Sequence, residues 1–237
     1  MVETSHPGNI GAAARAMKTM GLEHLSLVRP KQFPCAESTA RASGADDILA
    51  RARVHDSLGD ALAGARFVIG TSARLRSLRW EQLDPRVAAG RLYVESASGE
   101  VAVVFGRERS GLSNEEMDLC HALLHIPTNP DYQSLNLAMA VQVVAYELRM
   151  RRDAGADATA PAGDADSESD EDRATFAEIE GFYGHLEQTM VKIGFLDPEA
   201  PRLFMRRMRR LFGRTRLYQD EIHILRGILS TMSRRIP

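Results

Sequence analysis

The fold is decided by the stretch IPTNPDYQSLNLAMAVQVVAYELR, residues 126–149. It leaves a strand end through Pro127, crosses the turn-rich Thr128-Asn129-Pro130-Asp131, and closes in a long apolar-rich segment from Ser134. Ser134 is placed to cap that segment, because its hydroxyl can accept from the free N–H groups of a first helical turn. Asn136 then falls inside that turn. Polar groups cluster where loop becomes helix, a place that favours anionic or polar ligands. On spacing alone, an ordinary capped core helix fits the stretch as well.

The same alternation of strand and helix runs through the chain ahead of it. Met1-Val2-Glu3-Thr4 is only the stub of a strand before Ser5-His6-Pro7-Gly8. Asn9 can cap a helix over 10–20, and Gly21 can end it. Arg15 lies four residues after Gly11 on one face of that helix, with Gly11 leaving space beside the guanidinium. A solvated helix arginine is the plainer reading. Leu25–Val28 reads as a strand stopped by Pro30, and residues 37–53 as helix. Asp56 or Ser57 caps a helix through Ala63. The β-rich run 66–70 ends at Gly70 and is followed by Thr71-Ser72-Ala73, at the strand end where open α/β sheets bind ligands.

Residues 84–97 are helical in part, with Pro85 near the start. The continuous apolar run 101–105 reads as a buried parallel strand. It enters Gly106-Arg107-Glu108-Arg109-Ser110-Gly111, and Ser113–Glu116 forms a capping box. Leu123–Ile126 is the next strand. Together these elements predict an α/β domain with a mainly parallel sheet.

Three stretches carry a resemblance: Asn9-Ile10-Gly11-Ala12-Ala13-Ala14-Arg15, Phe105-Gly106-Arg107-Glu108-Arg109-Ser110-Gly111-Leu112, and residues 126–147. In order and separation they are similar to the motifs of the SpoU-type RNA 2′-O-methyltransferases of the SPOUT superfamily. The tail segments FYGHLEQTMVKIGF and RRLFGRTR narrow this to the TrmJ-type tRNA methyltransferases. The resemblance covers roughly residues 2–150 and the tail. The family begins with a full apolar strand where this chain has only its stub, which leaves the first strand in question.

The resemblance implies a SPOUT methyltransferase domain over residues 1–152 with a C-terminal deep trefoil knot, one of few exceptions to unthreaded topology. An acidic flexible linker over 153–172 and a small all-helical, tRNA-binding module over 173–237 would follow. The implied cofactor is S-adenosylmethionine, held by Thr71, Ser72, Ala73, Gly106, Ile126, Gln133, Ser134 and Leu135, with Gly106 letting backbone approach the ligand. The implied reaction is 2′-O-methylation of ribose at nucleotide 32, cytidine or uridine, in the tRNA anticodon loop. Arg15, Ser134, Asn136, Asn9 and Glu108 are the implied catalytic set. Arg15 matches the arginine at the acceptor ribose and is discussed in the family as a general base; a guanidinium is effectively never deprotonated, so holding a phosphate and steadying an alkoxide suits it better. Asn9 would organise the Arg15 loop, and Glu108 would pair with a neighbouring arginine or brace the knot. Such enzymes are homodimers, so Arg15 would face the partner's pocket. The alternatives are the same transfer on ribosomal RNA, or an RNA-binding protein without activity.

Bulk properties fit this frame. Residues 1–150 are near neutral, residues 151–172 carry net −6 and residues 173–237 net +5, in a 237-residue chain of net −2. The polyanion-binding signal therefore lies in the tail. There Arg202, Arg206, Arg207, Arg209, Arg210, Arg214 and Arg216 occur with no acid among residues 202–216. Helical spacing puts 202, 206, 209 and 210 on one side as a phosphate-gripping ridge that also draws on Arg207 and Arg214, with Leu203, Phe204, Met208, Leu211 and Phe212 free to face a core. A solvated arginine face is the alternative. Phe182, Tyr183 and Phe195 read as core.

No Gly-x-Gly-x-x-Gly follows the first strand and no Gly-Lys-Ser/Thr loop occurs, which disfavours Rossmann-type methyltransferases and nucleotidases. His121 and His125 have helical metal-pair spacing but sit where a strand begins, with no third ligand, so no metal is expected. No run of about 18 apolar residues occurs, and no signal peptide is expected. With Cys35 and Cys120 unpaired by spacing, the expectation is a cytoplasmic protein with no membrane partner.

Overall fold

Parallel strand pairing organises the first two thirds of the computed structural model, which describes residues 1–73, 81–157, 173–199 and 203–234. Helix α1 (Pro7–Thr19) leads to β1 (Ser26–Val28), α2 (Ala36–Ala42), α3 (Asp46–Ala50), β2 (Arg53–His55) and α4 (Leu58–Leu62). Then come β3 (Phe67–Thr71), β4 (Gln82–Leu83), α5 (Pro85–Glu95), β5 (Val101–Val104), α6 (Asn114–Asp118), β6 (Ala122–Leu124) and α7 (Leu137–Asp157). Strands β1 and β2 form one parallel pair, and the others form a parallel sheet in the order β4-β6-β3-β5. Strand β6 thus lies between β3 and β4, which are consecutive in sequence. Its neighbours are joined by the connection that starts at Ser72.

Local chemistry explains most boundaries. Ser57 caps α4, accepting from Asp60 N at 3.1 Å, and Asp84 caps α5, accepting from Val87 N at 2.9 Å. The Ser113–Glu116 capping box opens α6. The helix expected over 37–53 is instead α2 and α3, broken at Ser43 and Gly44, both at positive φ (45° and 89°), and followed by β2. Gly11 has a different reason from the one expected. A Cβ there would lie 2.0 Å from the Ser38 carbonyl oxygen, so glycine lets α1 lie against α2 rather than making room for Arg15.

The stub Met1–Glu3 lies between the two sheets. Val2 bridges Val28, its N–H donates to Phe105 O at 2.8 Å, and Glu3 N donates to Val28 O at 2.8 Å. The Met1 ammonium donates to Ser26 O at 2.7 Å, and burial lowers its pKa to about 5. Beside it is an apolar cavity of about 470 Å³ between β1 and β5, floored by Val141, Val144 and Leu148 of α7.

Helix α7 continues to Asp157, past the expected linker start at 153. The remaining linker residues, 158–172, lie outside the described residues. Three helices then form the C-terminal module: α8 (Phe176–Lys192), α9 (Phe204–Thr215) and α10 (Gln219–Arg234). Phe182, Tyr183, Leu186, Leu217, Ile222 and Leu229 make its core. Phe195 does not join that core, being 65% exposed, and Leu203 and Leu211 are also exposed. Phe212 instead packs edge-on against Phe182 at 5.0 Å.

The module is seated on the first domain. Phe176 belongs to the core that contains Leu58, Leu62 and Val68, and its N–H donates to Ala65 O at 3.0 Å. Arg206 pairs with Asp118 of α6 at 2.5 and 3.1 Å. Arg216 pairs with the buried Glu95 of α5. No helix among the described residues is long and apolar enough to cross a membrane.

Candidate active site

Three separated loops, after β3, after β5 and between β6 and α7, meet at one cavity of about 920 Å³. All eight residues expected at the cofactor line it: Thr71, Ser72 and Ala73 after β3, Gly106 after β5, Ile126 after β6, and Gln133, Ser134 and Leu135 ahead of α7. Their placement follows from the parallel sheet, because β3, β5 and β6 all deliver their C-terminal ends to the same edge. Thr71 is pinned there by donating Oγ1 to Val104 O at 3.0 Å. Ser72 N donates to Leu124 O at 2.9 Å, tying the first loop to β6.

The loop after β5 is stiff. Arg107 and Gly111 form an antiparallel bridge through hydrogen bonds of 3.2 and 2.9 Å, and Gly111 has a positive φ of 68°. A Cβ on Gly106 would lie 2.3 Å from both the Gly111 carbonyl carbon and Leu112 N. The glycine at 106 is thus required by the loop's own backbone.

Glu108 connects the motifs. It accepts from Ser5 N (3.0 and 3.2 Å), Ser5 Oγ (2.9 Å), His6 N (3.1 Å) and Asn9 Nδ2 (3.0 Å). Its partner is therefore the start of α1 and not an arginine. Burial alone would raise its pKa, but the hydrogen bonds from Ser5, Asn9, its own loop and His6 outweigh that and hold it at about 2. The arginine beside it, Arg107, is taken by Glu3 at 2.7 Å and by Glu116 at 2.8 and 2.9 Å.

Asn9 and Asn136 complete the network. Asn136 Nδ2 donates to Asn9 Oδ1 at 3.0 Å, across 127 positions of sequence. Asn136 Oδ1 accepts from Ala138 N at 2.9 Å and Met139 N at 3.4 Å. Asn136 thus caps α7, a role expected of Ser134; Ser134 stays exposed on the cavity wall. Asn9 likewise lies inside the first turn of α1, whose cap position is His6 with Pro7 following, so it bonds Glu108 and Asn136 rather than capping. A chain of side chains now runs Glu108–Asn9–Asn136 through all three motifs.

Arg15 is exposed on α1 and does not line the cavity. The tail arginines are also partly spoken for. Arg209 pairs with Glu180, at 2.8 Å for one contact, and stacks 4.5 Å above Tyr183. With Arg206 on Asp118, two members of the expected phosphate ridge face carboxylates of their own chain. Arg210 has an intrachain interaction as well, and Arg202 lies outside the described residues. Arg207 and Arg214 remain exposed.

His121 Nδ1 accepts from Val68 N at 3.0 Å, and desolvation, with Arg216 and Arg91 nearby, lowers its pKa to about 4. His125 Nδ1 lies 3.1 Å from Ser72 O. Both rings serve strand ends. No group of three His, Cys, Asp or Glu side chains among the described residues is placed to hold a metal.

A parallel sheet whose strand ends deliver three loops to one cavity defines the class, and comparison with known proteins agrees. The model described as "SpoU rRNA Methylase family" matches residues 1–146, and "tRNA methyltransferase TrmJ, C-terminal domain" matches residues 177–237. The chain belongs to the SpoU methylase family, in its TrmJ branch. It is 52% identical to the tRNA (cytidine/uridine/adenosine-2′-O-)-methyltransferase TrmJ of Pseudomonas aeruginosa, over 97% of this chain and 91% of that protein. It is 48% identical to the tRNA (cytidine/uridine-2′-O-)-methyltransferase TrmJ of Escherichia coli, over 99% and 94%. Among solved structures, TrmJ from Z. mobilis superposes with a TM-score of 0.84 at 34% identity, covering 98% of this chain and 96% of that one. A probable methylase family protein from Haemophilus influenzae gives 0.64 at 44% identity, covering 99% and 94%.

Proposed function

We propose that this protein methylates the ribose 2′-hydroxyl of nucleotide 32, cytidine or uridine, in the tRNA anticodon loop, with S-adenosylmethionine as donor. The observation that carries the reading is the convergence of eight residues from separated loops on one cavity, braced by Glu108–Asn9–Asn136. The names of the relatives in Pseudomonas aeruginosa and Escherichia coli support the substrate class. The insertion of β6 between strands joined by an earlier connection supports a deep trefoil knot as the frame of the site.

The cavity fits the donor. Its volume suits a ligand of that size, and its wall combines hydroxyls (Thr71, Ser72, Ser134) with apolar contacts (Leu124, Ile126, Leu135). Bound there, S-adenosylmethionine supplies a methyl group already activated on a sulfonium. The protein's task is to hold the acceptor oxygen in line and steady its developing charge. Glu108 is too weak a base to take the hydroxyl proton, because its hydrogen bonds keep it ionised down to about pH 2. It positions Asn9 instead. Arg15, exposed and off its own cavity, serves the partner subunit's site in a homodimer, beside the acceptor phosphate and oxygen.

One variant tests the role of Glu108. Glu108→Gln keeps the size but loses the charge, and is expected to lower kcat about tenfold through misplaced Asn9 and Asn136. The pH profile above pH 5 should keep its shape; a lost limb would make Glu108 the base. The hydrogen bonds to Glu108 also stabilise the fold fully above about pH 4.5, and that contribution is lost as pH falls towards 2.

The C-terminal module is proposed to grip tRNA through its exposed arginines. Its α8 is built into the first domain's core, so point variants test this more cleanly than truncation. Arg207→Ala with Arg214→Ala should weaken tRNA binding by roughly ten- to a hundredfold at low salt. Unchanged affinity in a filter-binding titration would remove the module from RNA recognition.

A further inference from the structure

Three charges sit side by side on the loop after β5, and they have different fates. Arg107 is consumed by Glu3 and Glu116, and Glu108 by Ser5, His6 and Asn9. Arg109, next in sequence, makes no hydrogen bond or ion pair with any described residue. It is exposed and lines the same cavity as Thr71, Gly106 and Ser134.

The backbone beneath it is fixed. The Arg107–Gly111 bridge, the left-handed Gly111 and the close packing at Gly106 hold Arg109 at the tip of a tight, stiff turn. Only side-chain freedom is then lost when its guanidinium meets an anion. A guanidinium without a carboxylate, on the rim of a binding cavity, suits bidentate capture of phosphate or carboxylate.

The reaction brings two such anions, the donor's carboxylate and the phosphates of the RNA. Position separates them. The cavity floor is made of buried groups: Phe105, Gly106, Leu112, Leu124 and Leu137. Arg109 belongs to the exposed lip, with Ser110 and Asp131. Among the described residues lining the cavity, Asp131 is the other charge without a side-chain partner, and its carboxylate is not bonded to Arg109. That acid repels the RNA backbone, which leaves Arg109, among the described residues of the lip, as the cation that seats it.

We propose that Arg109 grips a backbone phosphate next to the acceptor nucleotide, on the same chain that holds the donor. This rests on the RNA-methyltransferase reading above. Arg109 then fixes the RNA from the donor's side of the cavity, while Arg15 reaches it from the partner subunit.

The test compares full-length wild type, Arg109→Ala and Arg109→Lys. Filter binding gives the tRNA Kd across a salt series, calorimetry gives S-adenosylmethionine affinity, and a methyl-transfer assay gives KM and kcat. Arg109→Ala should raise the tRNA Kd and KM about five- to tenfold and reduce the salt slope by roughly 0.7–0.9, the signature of one lost phosphate contact. Donor affinity and Tm should stay at wild-type values, and Arg109→Lys should restore the slope because it keeps the charge. An unchanged salt slope, or weakened donor binding with normal tRNA binding, would overturn the assignment. Wild-type protein that transfers no methyl group to tRNA would sink the underlying functional reading as well. Active wild type with an Arg109→Ala variant of equal slope would sink this inference alone.

Discussion

Replacing Arg15 with alanine is expected to lower kcat by about 10²- to 10³-fold while leaving S-adenosylmethionine affinity unchanged. The size follows from charge development. As the methyl group moves to the ribose oxygen, that oxygen must be steadied in a site from which water is partly excluded. A single preorganised cationic donor is worth several kcal/mol there. The sparing of donor affinity follows from geometry. Arg15 lies on α1, away from the cavity that its own chain supplies. Folding should be untouched, because the side chain is exposed and only the helix backbone depends on that position. Mixing the inactive Arg15→Ala chain with a second inactive chain altered in the cavity should restore part of the activity, since one hybrid site then has both intact parts. No recovery on mixing would place Arg15 in its own subunit's site.

The second large effect is structural. Gly106→Ala would put a Cβ 2.3 Å from the Gly111 carbonyl carbon and Leu112 N, and 2.7 Å from Gly111 O. These are backbone atoms of a loop already tied by the Arg107–Glu116 pair and the Arg107–Gly111 bridge. The loop cannot yield by a rotamer change, so about 1–3 kcal/mol or more of strain is expected. Because that loop is one wall of the cavity, S-adenosylmethionine affinity should fall at least about tenfold, which corresponds to about 1.4 kcal/mol. Gly90→Ala is the matched control. Gly90 lies within α5 with open space around its Cα, and alanine there should stabilise the helix by about 0.5–1 kcal/mol. Donor affinity in Gly106→Ala equal to wild type would mean that the loop is not a wall of the binding site.

Legibility in the sequence divided along physical lines. Short-range chemistry was readable: the Ser113–Glu116 capping box, Ser57 and Pro85 all mark the helix starts they predict. The apolar run 101–105 is the parallel strand it promises. Short strands at the margins were not readable. Residues 53–55 are largely exposed and carry no alternation, and Gln82–Leu83 has only two residues. Long-range polar contacts were also hidden. Ser134 and Asn136 are both good caps; the fold selects Asn136, whose Oδ1 accepts from Ala138 N and Met139 N while its Nδ2 is held by Asn9. Nothing near Gly11 in sequence points to the Ser38 carbonyl that excludes a side chain there.

The tail gives the sharpest case. Helical spacing correctly groups Arg206 and Arg209, but their partners, Asp118 and Glu180, lie 88 and 29 positions away. A run without local acids therefore reads as free cations although Arg206, Arg209 and Arg216 are paired with Asp118, Glu180 and Glu95. The lining of the candidate cavity was legible because its loops directly follow the strands β3, β5 and β6. Its connectivity through Glu108, Asn9 and Asn136 needed the fold.

The most direct test is to incubate purified full-length protein with unmodified tRNA and S-adenosylmethionine carrying a deuterated methyl group, then map the product by nuclease digestion and mass spectrometry. The account predicts one labelled methyl on the ribose of nucleotide 32. Label on a base, label on the ribose of another nucleotide, or no transfer at all would contradict it.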